Sequence, residues 1–534
     1  MDLIARTATL DKLPYAVGAS WSPKAACLPN TREGLLEDIW KWIYSTDVKD
    51  TAEIFCLTSV AGAGKSAIAH TVAQRCHDEG LLASSFFFNR EVAGRNEPNT
   101  LFSTIARDLA GRSMGFCEQI SLAIESDRSL ATASISRQFG PLILLPCLRY
   151  PVDRPVVIVI DALDEGYNNE LLEILRDEIP KLPGTFRIFL TFRVMEEINV
   201  LLSQANHVRL RTIDIHERTN LEDIAIYVKR RLRDVAEMQK LGENWPDQQL
   251  VDEFTRKAEG LFQWVATVSR YLCRTTYPDN KLRSLLSESV PTGLSAEKKM
   301  DDLYSAILRA CDWDDDDFVE GYTLVMGAIL AAKTPLSTSA LQSLHRTTPT
   351  LRISEVVPRL GSLLTGLTDT KRPVQILHLS LRDFLTVRAQ LSQDYKQFCV
   401  SEKEHSERLA LLCLTILNED LKQDTPGIGY IAGHLPGIPK ITESDISEEL
   451  SYACRFWMDH IIDIESPVPS HLIRLLRDFV STRLILWIEL LTCKDKFQKL
   501  LKLRTWAQVR ILTRMQGMKS DFIQFLSENV TSGC

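Results

Sequence analysis

The chain has 534 residues, a formal net charge of −8, 45% hydrophobic and 25% charged residues, which is material for several domains with buried cores. The mildly acidic balance, without a lysine or arginine block, disfavours nucleic acid as the main partner. The 12 cysteines are scattered, with no C-x-x-C pair or cysteine/histidine cluster, so they read as small buried hydrophobes in a reducing compartment.

Residues 1–45 form a lead-in that ends in a helix over Arg32–Tyr44. Asn30 or Thr31 is the expected cap, and Leu35, Leu36, Ile39, Trp40 and Ile43 fall on one face. From 46 to 214 strands and helices alternate. Strands are predicted at 54–59, 84–89, 156–160, 187–192 and 207–211, and helices at about 65–78, 99–111, 135–149 and 169–179. Alternation of this kind predicts an α/β domain with a mainly parallel sheet and helices on both faces.

The first of these strands runs into Ser59-Val60-Ala61-Gly62-Ala63-Gly64-Lys65-Ser66 and then into a helix. A strand feeding a glycine-rich turn into a helix N-terminus makes an anion site, because backbone N–H groups and the positive helix end converge there. Gly62, Ala63 and Gly64 would wrap phosphates, with Ala67 in the first helical turn. Lys65 would reach the β- and γ-phosphates, and the Ser66 hydroxyl would ligate magnesium. Ser59 stands where the P-loop pattern has its first glycine. Serine is small, so the loop should still close.

About a hundred residues on, Val156-Val157-Ile158-Val159-Ile160 reads as a strand buried on both faces. It ends in Asp161-Ala162-Leu163-Asp164-Glu165. Asp161 is the expected magnesium carboxylate, and Glu165 or Asp164 would orient the attacking water. The strand at 187–192 ends in Thr191-Phe192-Arg193. Its C-terminal end should face the crevice of Lys65 and Asp161, where Arg193 would contact or sense the γ-phosphate.

Beyond 214 the strands stop. Helices at 219–240, 248–259, 262–273 and 280–287 make a helical subdomain over 215–295. Residues 296–400 carry helices near 297–311, 318–332, 336–345 and 354–364. Two short strands follow around 363–367 and 374–379, joined by the turn at 369–372, which describes a winged helix. The acidic run Asp314–Asp317 reads as a helix cap, since its spacing does not fit a calcium loop. Residues 401–534 are helical and rich in leucine and tryptophan. No apolar stretch reaches membrane-spanning length without charges, and no signal-peptide core follows Met1, so a soluble cytoplasmic protein is expected.

These stretches resemble the NACHT-type STAND ATPases, and within them the fungal set with a nephrocystin-like domain. Cys27–Arg32, Ala258–Trp264, His378–Leu385 and Tyr452–Trp457 match that branch outside the ATPase motifs. The resemblance implies that Thr31 and Arg32 lie against the adenine. It places Gly260-Leu261-Phe262 where relatives have a Gly-x-Pro loop packing on the base; Phe262 replaces the proline and would stack instead. An ordinary helix C-cap is the alternative for Gly260. It also implies that His378 touches the β-phosphate of ADP and holds the domains closed. Relatives usually carry an effector domain ahead of this module and a repeat array behind it. The lead-in is short for an effector and no repeat array is found, which leaves three readings open: a truncated gene product, a fragment of a longer protein, or a protein whose sensor and effector functions come from protein partners.

The resulting expectation is a switch in innate-immunity or non-self-recognition-like signalling. ADP would hold it closed and monomeric; ATP with magnesium would open it into an oligomer, and slow hydrolysis would reset it. Two other readings stay open. One is a scaffold with a structural nucleotide, favoured by loss of the first P-loop glycine; the other is a conventional cycling ATPase.

Overall fold

The β-branched and aromatic runs of the N-terminal half form five strands: β1 (Glu53–Ser59), β2 (Leu82–Phe87), β3 (Val156–Asp161), β4 (Phe186–Arg193) and β5 (Val208–Thr212). In this computed structural model, residues 3–45, 53–287, 294–348, 350–367, 369–429, 439, 441–442, 445–464 and 469–493 are described. The strands make one parallel sheet in the order β2-β3-β4-β1-β5. Because side chains alternate across a strand, the sheet has two apolar faces. Ile54, Cys56, Ile158, Ile160, Ile188 and Leu190 face one core with the helices Leu101–Arg112 and Met114–Ser126. Phe55, Leu57, Val157, Val159 and Phe189 face a second core with Ile68, Ala69 and Val72 of the helix Lys65–Asp78. Every residue of β3 is buried, as a strand covered on both faces requires. The α/β core is followed by a helical region.

Most predicted elements are present, but the strand expected over 374–379 is confined to Gln375–Ile376, because His378 caps a helix that starts at Leu379, and other differences lie nearer the sheet. The helix Met114–Ser126 was not anticipated. The Ser113 hydroxyl caps it by accepting from Phe116 N at 3.3 Å, and it buries Phe116, Cys117, Ile120 and Ile124. The helix after the lead-in runs Glu33–Ile43, and neither Asn30 nor Thr31 caps it. Arg32 occupies the N-cap in the left-handed region (φ 62°) without a side-chain cap, while Thr31 turns its hydroxyl to Leu28 O at 2.7 Å. The lead-in is also part of the sheet's core. Leu13, Ala16 and Ala19 are buried in it, and Phe87 N donates to Ala19 O at 2.9 Å. Trp21 N donates to Ser85 Oγ at 3.1 Å. The exposed edge of β2 is thereby covered, which removes a site for unwanted strand pairing.

Helices Arg218–Gln239, Gln248–Ala258, Phe262–Leu272 and Pro278–Ser287 complete the first of two compact units, Met1–Leu303. The second, Tyr304–Cys534, starts within the helix Ala296–Arg309 and continues with helices Asp316–Ala331, Thr338–Leu344 and Ile353–Arg359. The antiparallel pair β6 (Leu364–Thr365) and β7 (Gln375–Ile376) follows. Asp315 caps the first helix, accepting from Asp317 N and Phe318 N, which is the cap role expected of the acidic run. Helices Glu402–Asp420, Glu448–Ile462, Ser470–Thr482 and Leu484–Cys493 pack around buried Trp457 and Trp487. The part of the expected C-terminal domain beyond 493 lies outside the described residues. No described helix is long and apolar enough to cross a membrane, and no disulfide joins the described cysteines.

Candidate functional site

Strand order builds the site. β4 lies between β1 and β3, so the C-terminal ends of these three strands line one crevice edge, where open parallel sheets bind ligands. Ser59, the last residue of β1, is 1% exposed and donates its hydroxyl to Ile213 O at 2.9 Å. The serine thus ties the loop's start to the residue that follows β5. Gly62 (φ 82°) and Gly64 (φ 90°) take the left-handed conformation that a side chain resists. Gly64 caps the helix Lys65–Asp78, whose first N–H groups include those of Ser66 and Ala67. Lys65 Nζ donates to Ser59 O and Val60 O at 3.0 Å each, so the lysine lies across its own loop. Burial lowers its ammonium pKa to about 8, against the opposing pull of Asp164 and Asp161.

Asp161 is 3% exposed at the end of β3. Burial pushes its carboxyl up, while hydroxyl donors from Thr191 and Ser66 and the charge of Lys65 hold it down. Thr191, fully buried on β4, donates to Asp161 Oδ1 and accepts from Ala162 N at 3.1 Å. Ala162 has φ 55°, unusual for a residue with a Cβ, and this turns the chain so that Asp164 and Glu165 return over the sheet end. Asp164 Oδ1 accepts from Arg193 N at 3.0 Å, and Oδ2 pairs with Arg193 Nε at 3.2 Å. Glu165 Oε2 is 3.4 Å from Arg90 N. Burial, aided by the charge of Asp164, raises its pKa to about 8; Arg193 and Arg90 oppose the shift. The structure therefore gathers Lys65, Ser66, Asp161, Asp164, Glu165 and Arg193 into one cluster.

A second group covers the loop. Arg32 Nη2 donates to Ala63 O at 2.7 Å, its backbone N donates to Asp223 at 3.1 Å, and its guanidinium lies 4.6 Å from the Phe262 ring centroid. Phe262 also meets Tyr227 edge-on at 5.2 Å. Gln263 N donates to Gly62 O at 3.1 Å, so the start of the helix Phe262–Leu272 rests on the loop. Gly260, at φ 81°, ends the turn after the helix Gln248–Ala258, and its carbonyl accepts from buried Asn220 at 3.1 Å. Its observed job is the helix-end turn. Thr31 is buried, with its hydroxyl held by Leu28 O. Sequence reading missed Asp223, Asn220 and Gln263, because each acts through a contact about 40 to 200 residues away in the chain. His378 belongs to the second unit. It caps the helix Leu379–Asp383, with Nδ1 accepting from Ser380 N at 3.1 Å, a role that puts the ring proton on Nε2.

The residues fit a nucleotide and its cation. The loop offers a glycine cradle, a helix N-terminus and a half-buried lysine, the elements that hold phosphates. Among the described residues no group of three or more His, Cys, Asp or Glu is arranged for a metal. One buried carboxylate beside the Ser66 hydroxyl suits magnesium, which takes its remaining oxygens from phosphate and water.

Residues 30–193 match the Nephrocystin 3, N-terminal family. That segment contains the phosphate loop, the acidic end of β3 and Arg193, and over it the chain is similar to the nephrocystin-like family. The chain is 24% identical over 369 residues to the vegetative incompatibility protein HET-E-1 of Podospora anserina, covering 65% of this chain. The chain spans 26% of that relative's length. Among solved structures, the Aeropyrum pernix ORC1 protein in complex with DNA is 15% identical, covering 69% of this chain and 96% of that one, with a TM-score of 0.30. Drosophila ORC bound to DNA is 11% identical, covering 67% of this chain and 95% of that one, with a TM-score of 0.27. Both the nephrocystin-like segment and the loop-to-Arg193 cluster end at the same residue.

Proposed function

We propose that this NACHT-type protein is a nucleotide-operated switch, closed with ADP and open and self-associating with ATP, reset by slow hydrolysis. The observation that carries the reading is the convergence of Lys65, Ser66, Asp161, Glu165 and Arg193 at one edge of a parallel sheet. In it, Gly62, Ala63, Gly64 and Ala67 supply backbone N–H groups, Lys65 holds the β- and γ-phosphates, and Ser66 and Asp161 hold magnesium. Bound magnesium would offset phosphate charge. Glu165 orients water, its carboxylate lying close enough to Lys65 of the phosphate loop for their charges to interact. Arg32, Phe262 and the turn at Gly260 form the cover under which the base would lie. His378 would use Nε2–H toward the β-phosphate, since Nδ1 serves its own helix.

The scaffold reading drew support from Ser59. That support is weak in the structure, since Ser59 is not among the residues with positive φ and its hydroxyl has a partner in Ile213 O. Phosphate release from purified protein separates the readings. Slow turnover with ADP retained after the first cycle is expected of the switch. No release at all would leave the scaffold, and sustained cycling would leave a conventional ATPase. Activation through protein partners, in signalling of the kind named for the fungal relative, belongs to the same proposal.

A further inference from the structure

We propose that Asp164 is the positioning residue for Arg193, holding its guanidinium at the crevice so that it reads the terminal phosphate, and that Asp164 does not itself orient water. This rests on the nucleotide-switch reading and assigns a role within it. Arg193 is the last residue of β4 and lies in register with Ser59, where the phosphate loop begins. One carboxylate grips it at two points: Oδ1 takes the backbone N–H at 3.0 Å and Oδ2 takes Nε at 3.2 Å. The Asp164 side chain is 4% exposed and that of Arg193 is 25% exposed. The acid is therefore the buried anchor and the arginine the part that reaches the crevice. A two-point, charge-assisted grip of this kind fixes direction as well as adding energy. It also orders both the strand end and the side chain, where a single surface ion pair would leave the arginine mobile.

The same geometry argues against water orientation. An acid that orients water must present an oxygen toward the crevice, and both Asp164 oxygens are turned to Arg193. The shape of the turn explains the division between neighbouring acids. Ala162 in the left-handed region starts a single 3-10 turn, Leu163–Glu165. Consecutive residues in such a turn point about a third of a revolution apart, so Asp164 meets β4 while Glu165 faces the Arg90 loop. An arginine held in place can distinguish a nucleoside triphosphate from a diphosphate through contacts made to the terminal phosphate alone.

The test uses the full chain with ATP and ADP in magnesium buffer. Lys65→Ala is measured first; if it binds both nucleotides as wild type does, the nucleotide site itself is wrong, whatever Asp164 does. With that control passed, Asp164→Ala and Arg193→Ala should each lower ATP affinity about tenfold and ADP affinity less than about threefold. The double variant should be no weaker than Arg193→Ala, because the two residues act as one unit. Asp164→Asn keeps an acceptor for the Arg193 N–H without the charge, and should fall between wild type and alanine. It carries the test if the alanine variant does not fold. The proposal is overturned if an Asp164 variant loses hydrolysis while keeping its ATP-over-ADP preference and the loss compounds with that of Arg193→Ala. Equal loss of ATP and ADP binding together with a lowered melting temperature would overturn it too, by making Asp164 merely structural.

Discussion

Lys65 shows how one residue carries most of a site's electrostatics. Its half-buried ammonium bonds two carbonyls at the start of its own loop and interacts with Asp164 and Asp161, so the charge is already held at the loop that phosphates would enter. Lys65→Ala should weaken ATP binding by about thirtyfold to a thousandfold, the loss for removing a charged partner from a desolvated contact. Calorimetry that found the variant within threefold of wild type would refute the assignment. The adjoining acid depends on a hydrogen bond that sequence did not specify, although it placed the Thr191 strand end in the same crevice. Asp161 is recognisable from the end of its strand, but the Thr191 hydroxyl that holds it comes from a strand 30 residues on. Only the insertion of β4 between β1 and β3 makes them neighbours.

At the level of elements, the phosphate loop is held by the start of the helix Phe262–Leu272, and that helix is placed by the turn at Gly260. A Cβ there would lie 2.0 Å from Ile215 O, and φ is 81°. Both features forbid a side chain without movement of backbone. Gly260→Ala should therefore cost about 2 kcal/mol or more in stability. It should also loosen nucleotide binding, because Gln263 N loses its register with Gly62 O. Urea unfolding and nucleotide titration check the two effects. A variant as stable as wild type would show that the turn relaxes at no cost. The cover formed by Arg32, Phe262 and Tyr227 is likewise an element-level feature. The aromatic in place of the relatives' proline was visible in the sequence. Its stacking under an arginine from 230 residues earlier was not.

For the whole molecule, buried histidines set the response to acid. His345 and His405 are 1% and 7% exposed, and burial, with Arg408 adding repulsion, lowers each pKa to about 4. The unfolded chain titrates near 6.5, so it takes up protons before the folded chain does. The contribution to stability is complete above about pH 6.5, falls as pH drops, and is gone below about pH 4. Each imidazole accounts for up to about 3 kcal/mol over that window. His405→Gln should flatten the dependence of unfolding midpoint on pH between 6.5 and 4. An unchanged slope would assign the acid lability to other groups. The switch itself is tested at His378, one hydrogen bond from which to a phosphate is worth about 1.5–3 kcal/mol. His378→Ala should move the closed–open ratio about tenfold to a hundredfold toward open, with faster ADP release and earlier elution on a sizing column. An unchanged ADP off-rate would confine His378 to capping its helix.

The local chemistry was legible because it is encoded locally. A strand, two glycines, Lys65 and a helix lie within 14 residues of one another, roughly, and each follows from its own neighbours in sequence. Strand β3 and its terminal Asp161 were readable for the same reason, as was the alternation that specifies a parallel sheet. The caps were less legible. Arg32 took the N-cap with a positive φ because its side chain is needed at Ala63 O and its backbone at Asp223, contacts that outweigh the local preference for Asn30 or Thr31. The place of the lead-in along the edge of β2 was not legible, since an edge has no signature in the segment that covers it. Sequence by itself determined the phosphate loop, the acidic strand end and the α/β class, all products of short-range pattern. Tertiary structure alone decided which acid grips Arg193, which hydroxyl steadies Asp161 and which helix rests on the loop. Those depend on strand order and on contacts between residues far apart in the chain, which no local pattern records.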